Sequence, residues 1–330
     1  MRARLGNSLA LLLALAGCSS KPAVDTQKSG ALTTKSATPP ATSSPAPLAT
    51  TSAPAPAQPV HVWRGLRAPE SVLVLGDRIL VSNVAGEPLK ADNDAFISEL
   101  SADGTVKRLD FIEAGKGGVA LDAPKGMAVS NGTLFVADID RVRKFDVVTG
   151  APRGEVRVDG ATFLNDVVAA ENGVYVSDSG EGTDAIYFID GDSPPKVFLK
   201  GAELHRPNGL AIHTDGGLLV ATFGSDELFL LAARGSQRVW TAHAPQGSLD
   251  GVAWVEHGAL VSSWDGAAVY WAAVTPDPAS PGSAAVVFTT VLSNVSGPAD
   301  LAYDAARKWI WLPRMQDDVV EAYAWSPPAR

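Results

Sequence analysis

Six segments of this 330-residue chain repeat at one phase, and five of them place a chemically capable side chain there. The six are Pro69-Glu70-Ser71-Val72, Pro124-Lys125-Gly126-Met127, Leu164-Asn165-Asp166-Val167, Pro207-Asn208-Gly209-Leu210, Leu249-Asp250-Gly251-Val252 and Pro298-Ala299-Asp300-Leu301. The second residue of each segment forms the set Glu70, Lys125, Asn165, Asn208, Asp250 and Ala299. Four of these carry oxygen donors, and two of the four are carboxylates. Two negative charges with two amide carbonyls suit a hard divalent cation: Ca²⁺ first, with Mg²⁺ or Mn²⁺ as alternatives and water completing the shell. None of the five histidines forms a His-Glu-x-x-His pair, and there is a single cysteine. A Zn²⁺ site of the nitrogen and sulfur type is therefore not expected, although Zn²⁺ held by oxygen stays open. Lys125 has two readings. It lines a channel as a cation for an anionic substrate, or it pairs with Glu70 in a metal-free channel. Each Asn-Gly or Asp-Gly taken alone is also ordinary turn chemistry. It is the shared phase that points to a site.

The elements that must position these residues follow from the same phase. Each anchor precedes a turn and a β-rich run: RILVSNV (78–84), TLFVADI (133–139), GVYVSDS (173–179), GLLVATF (217–223), GALVSSW (258–264) and KWIWLPR (308–314). Anchors recur at roughly 40–55 residues, the length of a four-stranded propeller blade. The runs are rich in Val, Leu and aromatic residues and are bounded by Gly, Asp and Asn, with no sustained helical period to compete. Ala102-Asp103-Gly104, Glu171-Asn172-Gly173 and Thr214-Asp215-Gly216 read as hairpin turns. The expectation is an all-β, six-bladed β-propeller over residues 61–330. Its ring would be closed by pairing the chain ends, with His61-Val62-Trp63 as the closing strand. A seventh blade would have to hide between residues 70 and 125, where ADNDAF (91–96) is inserted. Inner strands of a propeller run along its central channel, so anchors far apart in sequence come together there.

The glutamate of the first blade, Phe163-Leu164-Asn165-Asp166, Arg206-Pro207-Asn208-Gly209-Leu210-Ala211 and Leu249-Asp250-Gly251-Val252-Ala253-Trp254 resemble motifs of a known family. It is the senescence-marker-protein, gluconolactonase and luciferin-regenerating-enzyme family, and the resemblance covers residues 66 to 325. It implies a divalent metal held by Glu70, Asn165, Asn208 and Asp250, with Asp250 as both ligand and base. Lys125 would steer an anionic substrate or product. Paraoxonase-like propellers use a similar set, whereas NHL-like propellers share the blades without necessarily sharing the metal. Two departures matter. Glu70 precedes Ser71-Val72 rather than Gly-Pro. Phe163 stands where sugar-lactonase members carry an arginine, which argues against gluconolactone and for a less hydroxylated lactone or ester. No Gly-x-Ser-x-Gly elbow supports a serine hydrolase. Two functions therefore stand at this level: a metal-dependent lactonase or esterase, and a non-catalytic propeller of the cell envelope that binds a ligand or partner.

The chain's beginning reads as an export and anchoring signal. Arg2 and Arg4 precede a short apolar run, and Leu15-Ala16-Gly17-Cys18 resembles a lipobox. The expected organisation is a lipoprotein signal peptide (1–17), then lipidated Cys18 heading a disordered Pro, Ala, Ser and Thr-rich linker (18–60), then the propeller. The partner implied at Cys18 is the membrane. Serine rather than aspartate at Ser19 favours the outer membrane, facing the periplasm, if the cell is Gram-negative. Net charge is −9 with no basic run, so nucleic acid is excluded as a partner. A monomer is expected. Cys18→Ser is predicted to abolish lipidation and strand the unprocessed precursor. Intact-mass spectrometry checks this, and a soluble wild-type protein cleaved elsewhere would sink it.

Overall fold

A computed structural model of the protein describes residues 57–233, 235–279 and 282–329. The signal peptide, Cys18 and the linker up to residue 56 lie outside the described residues.

Most strands bury both faces, as strands do when sheets stack on sheets on either side. Four antiparallel strands build each of six sheets. Blade 1 holds β2 (Pro69–Leu75), β3 (Arg78–Asn83), β4 (Phe96–Ser101) and β5 (Val106–Glu113). Blade 2 holds β6 (Pro124–Ser130), β7 (Thr133–Asp138), β8 (Arg141–Asp146) and β9 (Pro152–Arg157). Blade 3 holds β10 (Leu164–Ala170), β11 (Gly173–Asp178), β12 (Ala185–Ile189) and β13 (Lys196–Lys200). Blade 4 holds β14 (Pro207–Ile212), β15 (Leu218–Thr222), β16 (Glu227–Leu231) and β17 (Arg238–His243). Blade 5 holds β18 (Leu249–Val255), β19 (Gly258–Ser263), β20 (Ala268–Pro276) and β21 (Ala284–Ser293). Blade 6 joins β22 (Ala302–Asp304), β23 (Trp309–Arg314) and β24 (Val319–Ala324) to β1 (His61–Trp63), in the order β1-β24-β23-β22. The expected six-bladed propeller is what forms. ADNDAF (91–96) falls in the loop before β4 and its first residue, not in a seventh blade.

The apolar core is divided among the seams between blades. One cluster joins blades 1 and 2 through Leu80, Ile97, Met127 and Phe145, and another joins blades 4 and 5 through Leu228, Trp240, Val252 and Tyr270. The remaining seams are filled in the same way. A single blade would expose both of its apolar faces, so the ring is stable only when closed. The closing seam packs Trp63, Trp311, Val72 and Leu100, with the two indole rings 4.5 Å apart. His61, Val62 and Trp63 pair with Ala322, Glu321 and Val320, and Val60 already donates to Ala322 O at 2.7 Å.

Two local expectations change. Gly104 and Gly216 do take positive φ in their turns, but Gly173 is the first residue of β11. A Cβ at Gly173 would lie 2.2 Å from Ile189 O, so close strand packing selects the glycine. The glycines after the anchors, Gly126, Gly209 and Gly251, are likewise not turn residues. A Cβ there would meet Asp166 Oδ1 at 2.3 Å, Asp250 O at 2.3 Å and Leu301 N at 2.4 Å. They are glycine because neighbouring inner strands nearly touch around the channel.

Trp63 is 1% exposed and belongs to the strand that closes the ring. Trp63→Ala is expected to cost about 3–5 kcal/mol, as large-to-small changes of buried aromatics do. The urea midpoint measures this, and a midpoint within error of wild type would show that β1 does not carry the closure.

Candidate functional site

Five of the six anchors sit at a bulge in the innermost strand of their blade; the sixth, Ala299, precedes β22 and follows an isolated bridge between Pro298 and Arg314. Pro69 pairs with Asn83, Pro124 with Asp138, Leu164 with Asp178, Pro207 with Thr222 and Leu249 with Ser263, and after each pair the register shifts. A bulge turns a side chain out of the regular alternation. Here it turns the anchors into the channel. Side chains of the second strand fix the backbone on both sides of the bulge. Ser82 Oγ, Ser177 Oγ and Ser262 Oγ accept from the amides of Ser71, Asp166 and Gly251 at 3.0, 2.9 and 2.8 Å. The neighbouring Asn83, Asp138 and Asp178 accept from the amides of Arg67, Ala123 and Phe163 at 3.0, 2.7 and 2.9 Å. Polar side chains at the end of the second strand, the pairs Ser82-Asn83 and Ser177-Asp178 and the single residues Asp138 and Ser262, are thus the clamp that aims the site.

Glu70, Lys125, Asn165, Asn208 and Asp250 line one cavity of about 340 Å³, whose mouth includes Phe163, Arg206, Phe223 and Trp264. The sixth anchor, Ala299, is fully buried and contributes only a methyl group. Glu70 Oε2, Asn165 Oδ1, Asn208 Oδ1 and Asp250 Oδ1 are each buried without a hydrogen-bond partner. An orphaned buried acceptor costs about 1–3 kcal/mol. Four of them on one cavity fit a bound cation with oxygen ligands, and the donor set of two carboxylates and two amides fits a hard one. A wider groove lined by Trp254, Glu256, Tyr303 and Lys308 gathers no comparable set of oxygens.

Charge and burial shape the cavity further. Burial, then the Asp250 and Asp300 charges, push the Glu70 carboxyl well above its usual range. Burial pushes Asp250 up to about 7, opposed by the Trp264 indole N–H, which donates to Asp250 Oδ2 at 2.7 Å. Burial pushes Asp166 up to about 6, although it accepts from the Leu210 and Val167 amides, both at 2.6 Å. Asp300 is raised by burial and by Asp166, and its Oδ2 accepts from Ser71 Oγ at 2.5 Å. Lys125 is 1% exposed, and burial lowers its ammonium's pKa against the pull of Glu70 and Asp138. Its Nζ donates to Ala123 O at 2.8 Å and lies 4.8 Å from the centroid of the Phe163 ring. Among the described residues Lys125 makes no ion pair with Glu70, so the paired reading of Lys125 gives way to a cation held over a ring.

Sequence reasoning missed five residues of this arrangement. Trp264 positions Asp250, Arg206 and Phe223 line the mouth, and Asp166 and Asp300 form a second carboxylate layer. A signal for the mouth existed. Its residues either stand two before an anchor or immediately follow a second strand, and one backbone bond joins the two positions. Ser179, Phe223 and Trp264 donate through their amides to Phe163, Arg206 and Ser248 carbonyls at 2.9, 2.9 and 3.0 Å.

The fold and the channel define a six-bladed β-propeller with a polar floor and a largely apolar mouth. No protein-family model and no curated protein matches the sequence. Solved structures do match, at 10–15% identity, so the likeness is one of fold. A streptogramin B lyase structure matches with TM-score 0.55, 10% identity and coverage of 79% of this chain and 96% of that one. Virginiamycin B lyase from Staphylococcus aureus, a catalytically inactive form with quinupristin, matches with TM-score 0.52, 13% identity and coverage of 77% and 94%. The Swd1 β-propeller domain of Myceliophteria thermophila matches with TM-score 0.55, 12% identity and coverage of 82% and 100%.

A carboxyl with a raised pKa stabilises the fold only while protonated. For Asp250 that contribution is complete below its ordinary value of 3.8 and is lost as pH rises through about 7. In chelator, Asp250→Asn is therefore expected to melt with wild type below about pH 4 and on the order of several degrees above it near about pH 8. Thermal melts across pH check this; identical profiles for the two proteins would refute it.

Proposed function

We propose that the protein is a lipid-anchored envelope propeller that binds a divalent cation, Ca²⁺ by preference, and hydrolyses lactones or related esters of apolar character. The observation that carries this reading is the set of four unpartnered buried oxygens on one cavity. Glu70, Asn165, Asn208 and Asp250 would hold the cation, which when bound supplies Lewis-acid polarisation of a carbonyl. The motif resemblance to the gluconolactonase family names the same four residues. The lyase neighbours support the architecture and not their own chemistry, because identity is far too low.

The chain's own residues supply the rest. Trp264 occupies Asp250 Oδ2 and leaves Oδ1 facing the cavity. That oxygen would take the proton of an attacking water as general base. The cavity lining contains no histidine, so proton transfer falls to carboxylates. Lys125 offers a buried positive charge to an anion formed on hydrolysis. Phe163, Phe223 and Trp264 keep water from the mouth and offer an apolar body no hydroxyl partners. An arginine at position 163 would meet the Lys125 ammonium, now 4.8 Å from the ring centre. The gluconolactone-type arrangement is therefore disfavoured by the neighbourhood as well as by the residue.

Metal analysis of the purified protein, then an aryl-ester and apolar-lactone panel with and without chelator, tests the proposal. The expected result is about one cation per chain, chelator-sensitive turnover of apolar substrates and little of gluconolactone. Asp250→Asn should lower turnover by about 10²-fold or more, as loss of a general base does. Phe163→Arg should not create gluconolactone turnover. Efficient gluconolactone hydrolysis by wild type would overturn the specificity. A bound cation with no turnover on any ester or lactone would make this a non-catalytic binding propeller.

A further inference from the structure

The mouth of the cavity holds a positive charge for which the fold has no use. Among the described residues, every arginine except Arg64 and Arg206 has a carboxylate within ion-pair distance. Arg64 is exposed, whereas Arg206 is half-buried and lines the cavity. Its placement is tightly determined. A short helical turn, Ala202–Leu204, seats Leu204 fully in the seam between blades 3 and 4. His205 and Arg206 then take left-handed conformations, φ 52° and 56°, and Pro207 opens β14. Asp184 Oδ1 accepts from the Arg206 amide at 2.6 Å, and Arg206 O accepts from the Phe223 amide at 2.9 Å. The side chain is held as firmly: Nε donates to Ser179 O at 2.9 Å, and the guanidinium carbon lies 5.2 Å from the Phe223 ring centroid. The two terminal nitrogens of the fork have no protein partner among the described residues.

A guanidinium fixed at one edge and free at the other presents two parallel donors, the geometry that matches a carboxylate. Beside it are the faces and edges of Phe223, Phe163 and Trp264, with Phe223 and Trp264 6.2 Å apart in an edge-on arrangement. Lys125 does not serve the same purpose, since it is buried deeper and held by Ala123 O. We infer that Arg206 is the specificity residue of this cavity and that the ligand is an amphipathic carboxylic acid, its apolar or aryl body against the aromatic mouth and its carboxylate on the free edge of Arg206. This rests on the reading of the cavity as the ligand site, not on hydrolysis. In a hydrolytic cycle the carboxylate would be a group distinct from the ester or lactone that reacts at the floor.

The test compares two acids, 2-naphthoate and 4-phenylbutyrate, with their neutral primary amides by calorimetric titration. Each is titrated into purified wild type, Arg206→Gln and Arg206→Lys, in calcium and in chelator. Wild type is expected to bind at least one acid about tenfold or more tighter than its amide, as a charge-assisted bidentate contact supplies. Arg206→Gln should erase that preference while leaving amide affinity within about twofold, and Arg206→Lys should retain part of it. Circular dichroism and melting of each variant separate this from unfolding. Acids that bind no tighter than amides in wild type, including no measurable binding of either, overturn the inference. So does an Arg206→Gln variant that is folded and keeps the preference, or that loses acid and amide alike. An acid preference that persists in a protein without cation or esterase turnover would support Arg206 while removing the hydrolase.

Discussion

The site depends on one recurrent constraint, the bulge at the start of the innermost strand in five of the blades and the hydroxyl, carboxamide or carboxylate of the second strand that pins it. Without the bulge, residues of the inner strand would alternate between the two seams, and none would face along the channel. With it, one side chain per blade leaves the alternation. The cost is a set of backbone amides that the β-ladder no longer satisfies. Ser82, Ser177 and Ser262 meet part of that need from inside the sheet, and Asn83, Asp138 and Asp178 meet the rest from its edge. The same groups also reach across the seam, since Ser177 Oγ donates to Asn208 O and Ser262 Oγ to Ala299 O, at 2.7 and 2.9 Å. Aiming the anchors and stitching the blades are therefore one structural act. The approach of neighbouring strands is so close that Gly126, Gly209 and Gly251 admit no side chain.

This explains what was legible in the sequence. The bulge has a fixed place in the blade, so anchor and second-strand residue keep a nearly constant separation, and the repeat exposes them together. Blade number, the closing role of His61-Val62-Trp63 and the anchor set follow from that regularity. The mouth was harder to read because its residues have no common chemistry. Position two before the anchor is Ala68, Ala123, Phe163, Arg206, Ser248 or Gly297; four of these, Ala68, Arg206, Ser248 and Gly297, take positive φ, and all but Ala123 accept through their carbonyl from the amide of a residue just past the second strand. Trp264 as a partner for Asp250 required knowing that a residue just past a second strand bends over its own anchor. Asp166 and Asp300 stand next to their anchors in sequence, yet a bulge turns consecutive residues towards the channel at different depths, which the period-two expectation for a strand does not contain.

The electrostatics favour a ligand that a purely structural channel would not need. Glu70, Asp166, Asp250 and Asp300 are all buried and raise one another's pKa or are raised by burial. A fold selected only for stability would replace such a group by apolar residues, because unpaired buried carboxylates are costly. The single buried cation among the anchors does not pair with them directly. It is held by a backbone carbonyl and a ring. The oxygens that remain face a cavity, so the imbalance is available to something that enters it.

Two carboxylates and one ammonium give the anchor ring a formal charge that a divalent cation would more than offset. An occupied floor would be two charges more positive than an unoccupied one, whatever the Asp166 and Asp300 carboxylates beneath it contribute. In the empty cavity the carboxylates oppose an incoming anion, while Arg206 and Lys125 attract it. Cation and acidic ligand are thus expected to favour each other's binding, by linkage and with no change of shape. The apolar mouth amplifies the effect, since charges act more strongly where water is excluded. If the floor holds the cation as proposed, it is a general device for holding charge, and the choice of ligand falls to the irregular residues two before each anchor, Phe163 and Arg206 among them.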